Sequence, residues 1–294
     1  MKHFLFFIFF SVVCFSALAQ DTIEVKKVEY PKDYTANIDV VYATVGYWQG
    51  KVDIYFNLLA TKPTPVVINI HGGGWNHGNK ESQTGFKSFF KNGFAVANMA
   101  YRLVQVATAP AAIEDVRSVI AYLKKNAKQL NIDPEKIVIM GGSAGAHLAL
   151  MGGLLGNDNR FDKNCEKVVD MRVAAIIDKY GPVDFNSTRD NFYKYKSLVR
   201  WLGDNADNTD FRAAVSPMTY VTKSSPPIFI VHGNADPIVP YQQSVDLYEK
   251  LKTVGVVAKF ITVEEGLHGK FPKEKNSEIN KEIINFLKQI KVID

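Results

Sequence analysis

Residues 137–150 read Ile137-Val138-Ile139-Met140-Gly141-Gly142-Ser143-Ala144-Gly145-Ala146-His147-Leu148-Ala149-Leu150. The first four are apolar and mostly β-branched, as in a strand buried on both faces, and the stretch beginning at Ala146 favours a helix. Between them lies Gly-x-Ser-x-Gly. A chain that turns from strand into helix within five residues tolerates only small side chains beside the turn, and it pushes the central serine hydroxyl out above the strand end. The helix that follows points its first N–H groups and positive dipole end at the same place. The pattern reads as a nucleophile elbow, the alternative being a glycine-rich turn with an incidental serine.

Working outward, apolar runs at Val66–Ile70, Ala95–Ala100, Lys136–Met140, Ala174–Ile177, Ile228–Val231 and Val256–Val263 read as buried strands. Helical patterns separate them. In Glu114–Lys128 the residues Val116, Val119, Ile120 and Leu123 fall on one face, and Ser244–Val254 and Ser277–Ile290 follow the same logic. Strands apolar on both faces that alternate with helices imply an α/β class: a mostly parallel central sheet covered by helices on both faces. Glu24–Tyr30 and Lys51–Leu58 read as antiparallel strands at its edge. Asp184–Ala214 is irregular, polar and aromatic by turns, and reads either as a small cap or wall over the sheet edge or as a surface excursion with one short helix. No linker, repeat or low-complexity stretch divides the chain.

The first 19 residues place Lys2 before an apolar run and end in Ala17-Leu18-Ala19, the pattern of an export signal. The expected domains are therefore a signal peptide at 1–19 and one catalytic domain at 20–294, working in a periplasm or outside the cell. Cys14 lies in the signal after Val13, where a lipoprotein would carry a small residue, so no membrane anchor is expected. The mature chain keeps Cys165 alone and must be stabilised by its core. With 294 residues, 47% hydrophobic and 22% charged, it has the profile of a globular protein. The net charge of +5, without a basic run or base-reading motif, argues against nucleic acid.

A serine needs a base, itself oriented by an acid, to be a nucleophile near neutral pH. If the chain order is serine, acid, histidine, then of the six histidines His268 follows every plausible acid. His3 falls in the signal, His71 and His77 precede the serine, His147 reads as a helix residue and His232 as the end of a strand. For the acid, Asp236 stands just past the strand Ile228–Val231, at the end where ligands gather in such sheets; Asp184 after Tyr180-Gly181-Pro182-Val183 is the runner-up. His71-Gly72-Gly73-Gly74-Trp75 follows another strand. Its glycines let backbone N–H groups of Gly73 and Gly74, with that of Ala144, line a hole for the oxyanion formed on an attacked ester. A phosphate cradle is disfavoured because no Gly-Lys-Ser/Thr follows. His71 would support the loop; Trp75 reads as loop support, substrate-binding residue or core. No spaced His/Cys/Asp cluster suggests a metal.

Taken with Tyr101-Arg102-Leu103, Asp133-Pro134-Glu135-Lys136-Ile137, Ser216-Pro217, His232–Pro240 and His268-Gly269, these motifs resemble the α/β-hydrolase superfamily. Within it they resemble the esterases like hormone-sensitive lipase and the bacterial feruloyl and acetyl xylan esterases. The resemblance implies an α/β-hydrolase fold and a serine carboxylesterase with no cofactor, in which Ser143, Asp236 and His268 form the triad and Gly73, Gly74 and Ala144 the oxyanion hole. Residues before His71 read as strands rather than a helical cap, so a shallow site without a large cap is expected. Such a site suits short or aromatic acyl groups on a polysaccharide. The rivals are a peptidase of the prolyl-oligopeptidase type, a lipase, and a non-catalytic binding protein on the same fold. The sequence leaves the oligomeric state open.

Overall fold

The strand that carries Ser143 lies in the middle of one sheet. The computed structural model describes residues 27–189 and 191–294; the expected signal peptide, Cys14 included, lies outside them. The elements run β1 (Thr35–Val45), β2 (Trp48–Phe56), β3 (Thr64–Ile70), α1 (Lys87–Lys91), β4 (Ala95–Met99), α2 (Ala111–Lys125), β5 (Ile132–Gly142), α3 (Ala144–Leu154), β6 (Ala175–Lys179), α4 (Lys196–Leu202), α5 (Thr209–Ala214), β7 (Ile228–Gly233), α6 (Tyr241–Thr253), β8 (Ala258–Val263) and α7 (Lys273–Gln289). The sheet order is β1-β2-β4-β3-β5-β6-β7-β8. β1 pairs with β2, and β2 with β4, in antiparallel fashion. From β4 to β8 every pairing is parallel.

Because strand side chains alternate, the β-branched strands supply two cores at once. Ile68, Ile139, Ile176 and Ile230 point to the face covered by α2, α3 and α6, while Val67, Val138, Ile177 and Val231 point to the face covered by α1 and α7. The heptad-like face of α2 is fully buried at Val116, Val119, Ile120 and Leu123. Helix α7 buries Ile283, Phe286 and Leu287 against the other face. Those three side chains contribute roughly 5–9 kcal/mol before chain entropy is counted. This is a mostly parallel sheet with helices on both sides, as the alternation of patterns implies.

The expected strand at Glu24–Tyr30 is a correction: residues 27–30 are not strand, and residues 24–26 lie outside the described residues. The edge strand is β1 instead. Tyr42 is its one buried residue, and two register irregularities interrupt its pairing with β2, so it carries little apolar alternation to read. Asp184–Ala214 forms a wall. It contains a short turn of helix at Phe192–Lys194 and the helices α4 and α5, with Leu198, Trp201 and Leu202 fully buried on the α2/α3 face. Among the described residues no helix is long and apolar enough to cross a membrane.

Candidate active site

At the end of β5 the backbone of Ser143 takes φ 56° and ψ −123°, a left-handed conformation costing a non-glycine residue on the order of 1–3 kcal/mol. The neighbours hold it there. A Cβ on Gly141 would lie 2.2 Å from the carbonyl carbon of Gly145, and a Cβ on Gly145 2.3 Å from the carbonyl oxygen of Ile70. Either contact is impossible, so the close crossing of β5, α3 and β3 demands glycine at both flanks. The amide of Ser143 donates to the carbonyl of Lys179 (2.9 Å), tying the turn to β6.

Ser143 Oγ lies 2.8 Å from Nε2 of His268, whose Nδ1 lies 2.6 Å from Oδ2 of Asp236. Asp236 is fully buried at the side chain and its Oδ1 accepts the backbone N–H groups of Ile238 (2.7 Å) and Val239 (3.0 Å). Burial alone would raise its pKa; hydrogen bonds from His232, His268 and the Ile238 amide outweigh that and hold the carboxyl well below the usual carboxylate range. An ionised carboxylate only accepts, so Nδ1 of His268 carries the proton and Nε2 is left free to accept from the Ser143 hydroxyl. The ring of Tyr180 meets that of His268 edge-on at 5.0 Å.

The reading from sequence passed over His232. Its Nε2 lies 3.1 Å from both Asp236 Oδ2 and the carbonyl of Val239, and its Nδ1 2.8 Å from the hydroxyl of Ser244. A carbonyl accepts only, so Nε2 carries the hydrogen, and His232 donates to the same carboxylate oxygen as His268. The signal was the i, i+4 spacing of His232 and Asp236 across a tight turn. Asp184 is placed elsewhere: its Oδ1 accepts the backbone N–H of Asn186 (2.8 Å), while Nδ1 of His268 faces Asp236.

The glycine loop folds on itself. Gly73 has φ +119°, and a Cβ there would lie 2.0 Å from the carbonyl oxygen of His77. Glycine is thus required by the loop's own backbone, a nearer reason than clearance for a substrate oxygen. Among the described residues no protein acceptor takes the N–H groups of Gly73, Gly74 or Ala144. His71 stacks on Tyr101 at 4.3 Å, and the Tyr101 hydroxyl donates to the carbonyl of His71 (3.1 Å). Trp75, expected as a substrate-binding residue, core or loop support, touches the cleft but is mostly packed inside. It is 2% exposed, stacks on Trp201 at 4.8 Å and donates Nε1–H to Nδ1 of His147 (3.3 Å); its apolar bulk is consumed by the wall segment.

Ser143 and His268 open on a cleft of about 480 Å³, within the usual range for a small-molecule site. The loop at Gly72–His77, Tyr180, Phe192, Tyr195 and Ile238 border it. A larger hollow of about 1050 Å³ lies beside α1, lined by Lys27–Pro31, Thr84, Lys87 and Phe90, and has no nucleophile–base pair. Among the described residues no group of three His, Cys, Asp or Glu side chains could hold a metal ion.

The BD-FAE family profile matches residues 52–251, more than half of the chain. The chain belongs to the BD-FAE family. Among curated relatives of this BD-FAE chain, "Probable carboxylic ester hydrolase LipM" of Mycobacterium tuberculosis is 31% identical over 76% of this chain and 53% of its own length. The chain spans about half the length of the curated relatives it matches. Two solved structures cover this BD-FAE chain more fully. A truncated carbohydrate esterase from gut microbiota is 29% identical with a TM-score of 0.79, over 89% of this chain and 98% of that one. An acetyl ester-xyloside bifunctional hydrolase from Caldicellulosiruptor lactoaceticus is 26% identical with a TM-score of 0.73, over 85% and 91%.

Proposed function

We propose that the protein is a serine carboxylesterase that removes short or aromatic acyl groups from a plant polysaccharide, in the manner of an acetyl xylan or feruloyl esterase, after export by the segment 1–19. The observation that carries the chemistry is the unbroken chain from Ser143 Oγ through His268 to Asp236, at 2.8 and 2.6 Å, beside unpaired amides at the mouth of a cleft. His268 Nε2 takes the proton from Ser143 as Oγ attacks the ester carbonyl. The tetrahedral oxyanion rests on the N–H groups of Gly73, Gly74 and Ala144. The alcohol leaves with the proton from His268, and water, activated by the same nitrogen, then releases the acid from the serine. Asp236 stabilises the imidazolium that forms at each step. Family membership and the carbohydrate esterase among the solved neighbours support the substrate class.

The test is hydrolysis by the purified mature protein of p-nitrophenyl acetate, butyrate and palmitate, methyl ferulate and acetylated xylan, with Ser143→Ala as blank. Turnover of acetate or ferulate esters and acetate release from xylan are expected. Activity on palmitate alone would favour a lipase. Cleavage of a proline-dipeptide anilide without ester turnover would favour a peptidase.

A further inference from the structure

Lys179 closes β6 directly beneath the elbow, paired in register with Gly142, and borders the cleft that holds Ser143 and His268. It is partly buried, and among the described residues its ammonium has neither a carboxylate nor a hydrogen-bond acceptor. Three other sequestered cations meet carboxylates, whereas the buried Arg212 lies over the ring of Tyr193. Lys80 meets Asp39, Asp53 and Glu81; Arg102 meets Glu114 and Asp115; Arg117 meets Asp162. Lys179 differs from Arg212 in bordering the cleft, so its unpaired ammonium is available to the charge of a bound ligand. Burial pushes the Lys179 ammonium down to about 8, which leaves it charged at neutral pH.

The cleft has two unlike walls. By strand alternation Lys179 shares a sheet face with Val67 and Ile177, as does Asn69 of β3; on that side Asn69, Gln83 and Lys179 border the cleft. Phe192, Tyr195, Ile238 and Val239 border it elsewhere, with Phe192 and Val239 belonging to the core of the opposite face. An acyl group matches the apolar wall and a saccharide alcohol the polar one.

We propose that Lys179 is a specificity-determining residue and that it selects esters whose alcohol carries a carboxylate, as the uronic acid residues of an acidic polysaccharide do. This rests on the esterase reading above and narrows its substrate.

The test compares phenyl acetate with 3-acetoxybenzoate, which releases the same type of phenol bearing a carboxylate, in wild type, Lys179→Met and Lys179→Arg. The readout is the ratio of kcat/KM for the anionic ester to that for the neutral one. Lys179→Met is expected to lower the ratio by about 10-fold, the scale of one close charge pair, and Lys179→Arg to restore most of it. A merely structural role would lower both rates together, and an unchanged ratio in Lys179→Met would overturn the inference while leaving the esterase reading intact. If wild type hydrolysed neither ester, the esterase reading would fail and the inference with it. Acetylated xylan with and without glucuronic acid branches extends the comparison to polymer; equal rates on both in wild type would likewise count against it.

Discussion

Ser143, His268 and Asp236 each have a defined hydrogen-bond role, and the consequences of changing them differ in kind. Ser143→Ala removes the nucleophile at an otherwise glycine-lined turn, so turnover is expected to vanish while the thermal midpoint stays within a few degrees. Asp236→Asn would replace the acceptor for His268 Nδ1–H by an amide that can turn its N–H toward the ring. A loss on the order of 10³–10⁴ in kcat is expected, against a few-fold for Asp184→Asn, whose carboxylate serves the Asn186 turn. Steady-state kinetics of the two variants separates the assignments; the larger loss in Asp184→Asn would reverse them. At this scale much was legible. Chain order alone singles out His268, because it follows every candidate acid. His232 was marked only by its i, i+4 spacing to Asp236, and its role shows when the turn folds it back onto the carboxylate oxygen shared with His268. Trp75 was left open by sequence for the related reason that its partner Trp201 lies 126 positions away.

Between elements, the glycine loop, α3 and the wall segment brace one another through His147. Its Nδ1 accepts from Trp75 and its Nε2–H donates to the carbonyl of Val215 just past α5. Burial moves this imidazole down from 6.5 to about 3. Below about pH 6.5 the unfolded chain therefore binds a proton that the folded chain refuses, and stability falls as pH drops from about 6.5 toward 3. The contribution is about 2 kcal/mol between pH 7 and pH 5. Asp178, raised by burial to about 7, acts in the opposite sense between about pH 4 and 7, so the comparison is made between wild type and His147→Gln. Urea unfolding at the two pH values should show a smaller acid loss in the variant; equal losses would mean that His147 does not titrate as described. At Gly73 the steric argument is local. Gly73→Ala drives a Cβ into the His77 carbonyl and should displace the loop, lowering kcat by about 10²–10³ if its amides bind the oxyanion, with KM the less affected constant. The strongly periodic elements β3, β5 and α2 were readable because both periods are explicit in their apolar residues. Helix α1, at five residues, and the exposed strand β1 carry too little pattern to be read from sequence.

For the whole molecule, eight strands bring residues from positions 69 to 268 to one end of a single sheet, and this convergence makes a cleft from loops that are far apart in sequence. The parallel order could be argued from alternating patterns; the strand order and the two-walled character of the cleft could not, since they depend on which loops cross the carboxyl ends of β3, β5 and β6. The wall formed by α4 and α5 is short and stands beside the glycine loop, which fits an open site for a bulky alcohol better than a deep acyl tunnel. Rates on p-nitrophenyl esters should accordingly fall from acetate and butyrate to palmitate; a rise toward palmitate would argue against that geometry. The most direct measurement is mass spectrometry of the protein quenched during turnover of p-nitrophenyl acetate. An acetyl group on Ser143, formed in a burst of one p-nitrophenol per chain and absent in Ser143→Ala, is the expected result. Ester turnover with Ser143 unmodified and undiminished in the variant would contradict the proposed acyl-transfer site.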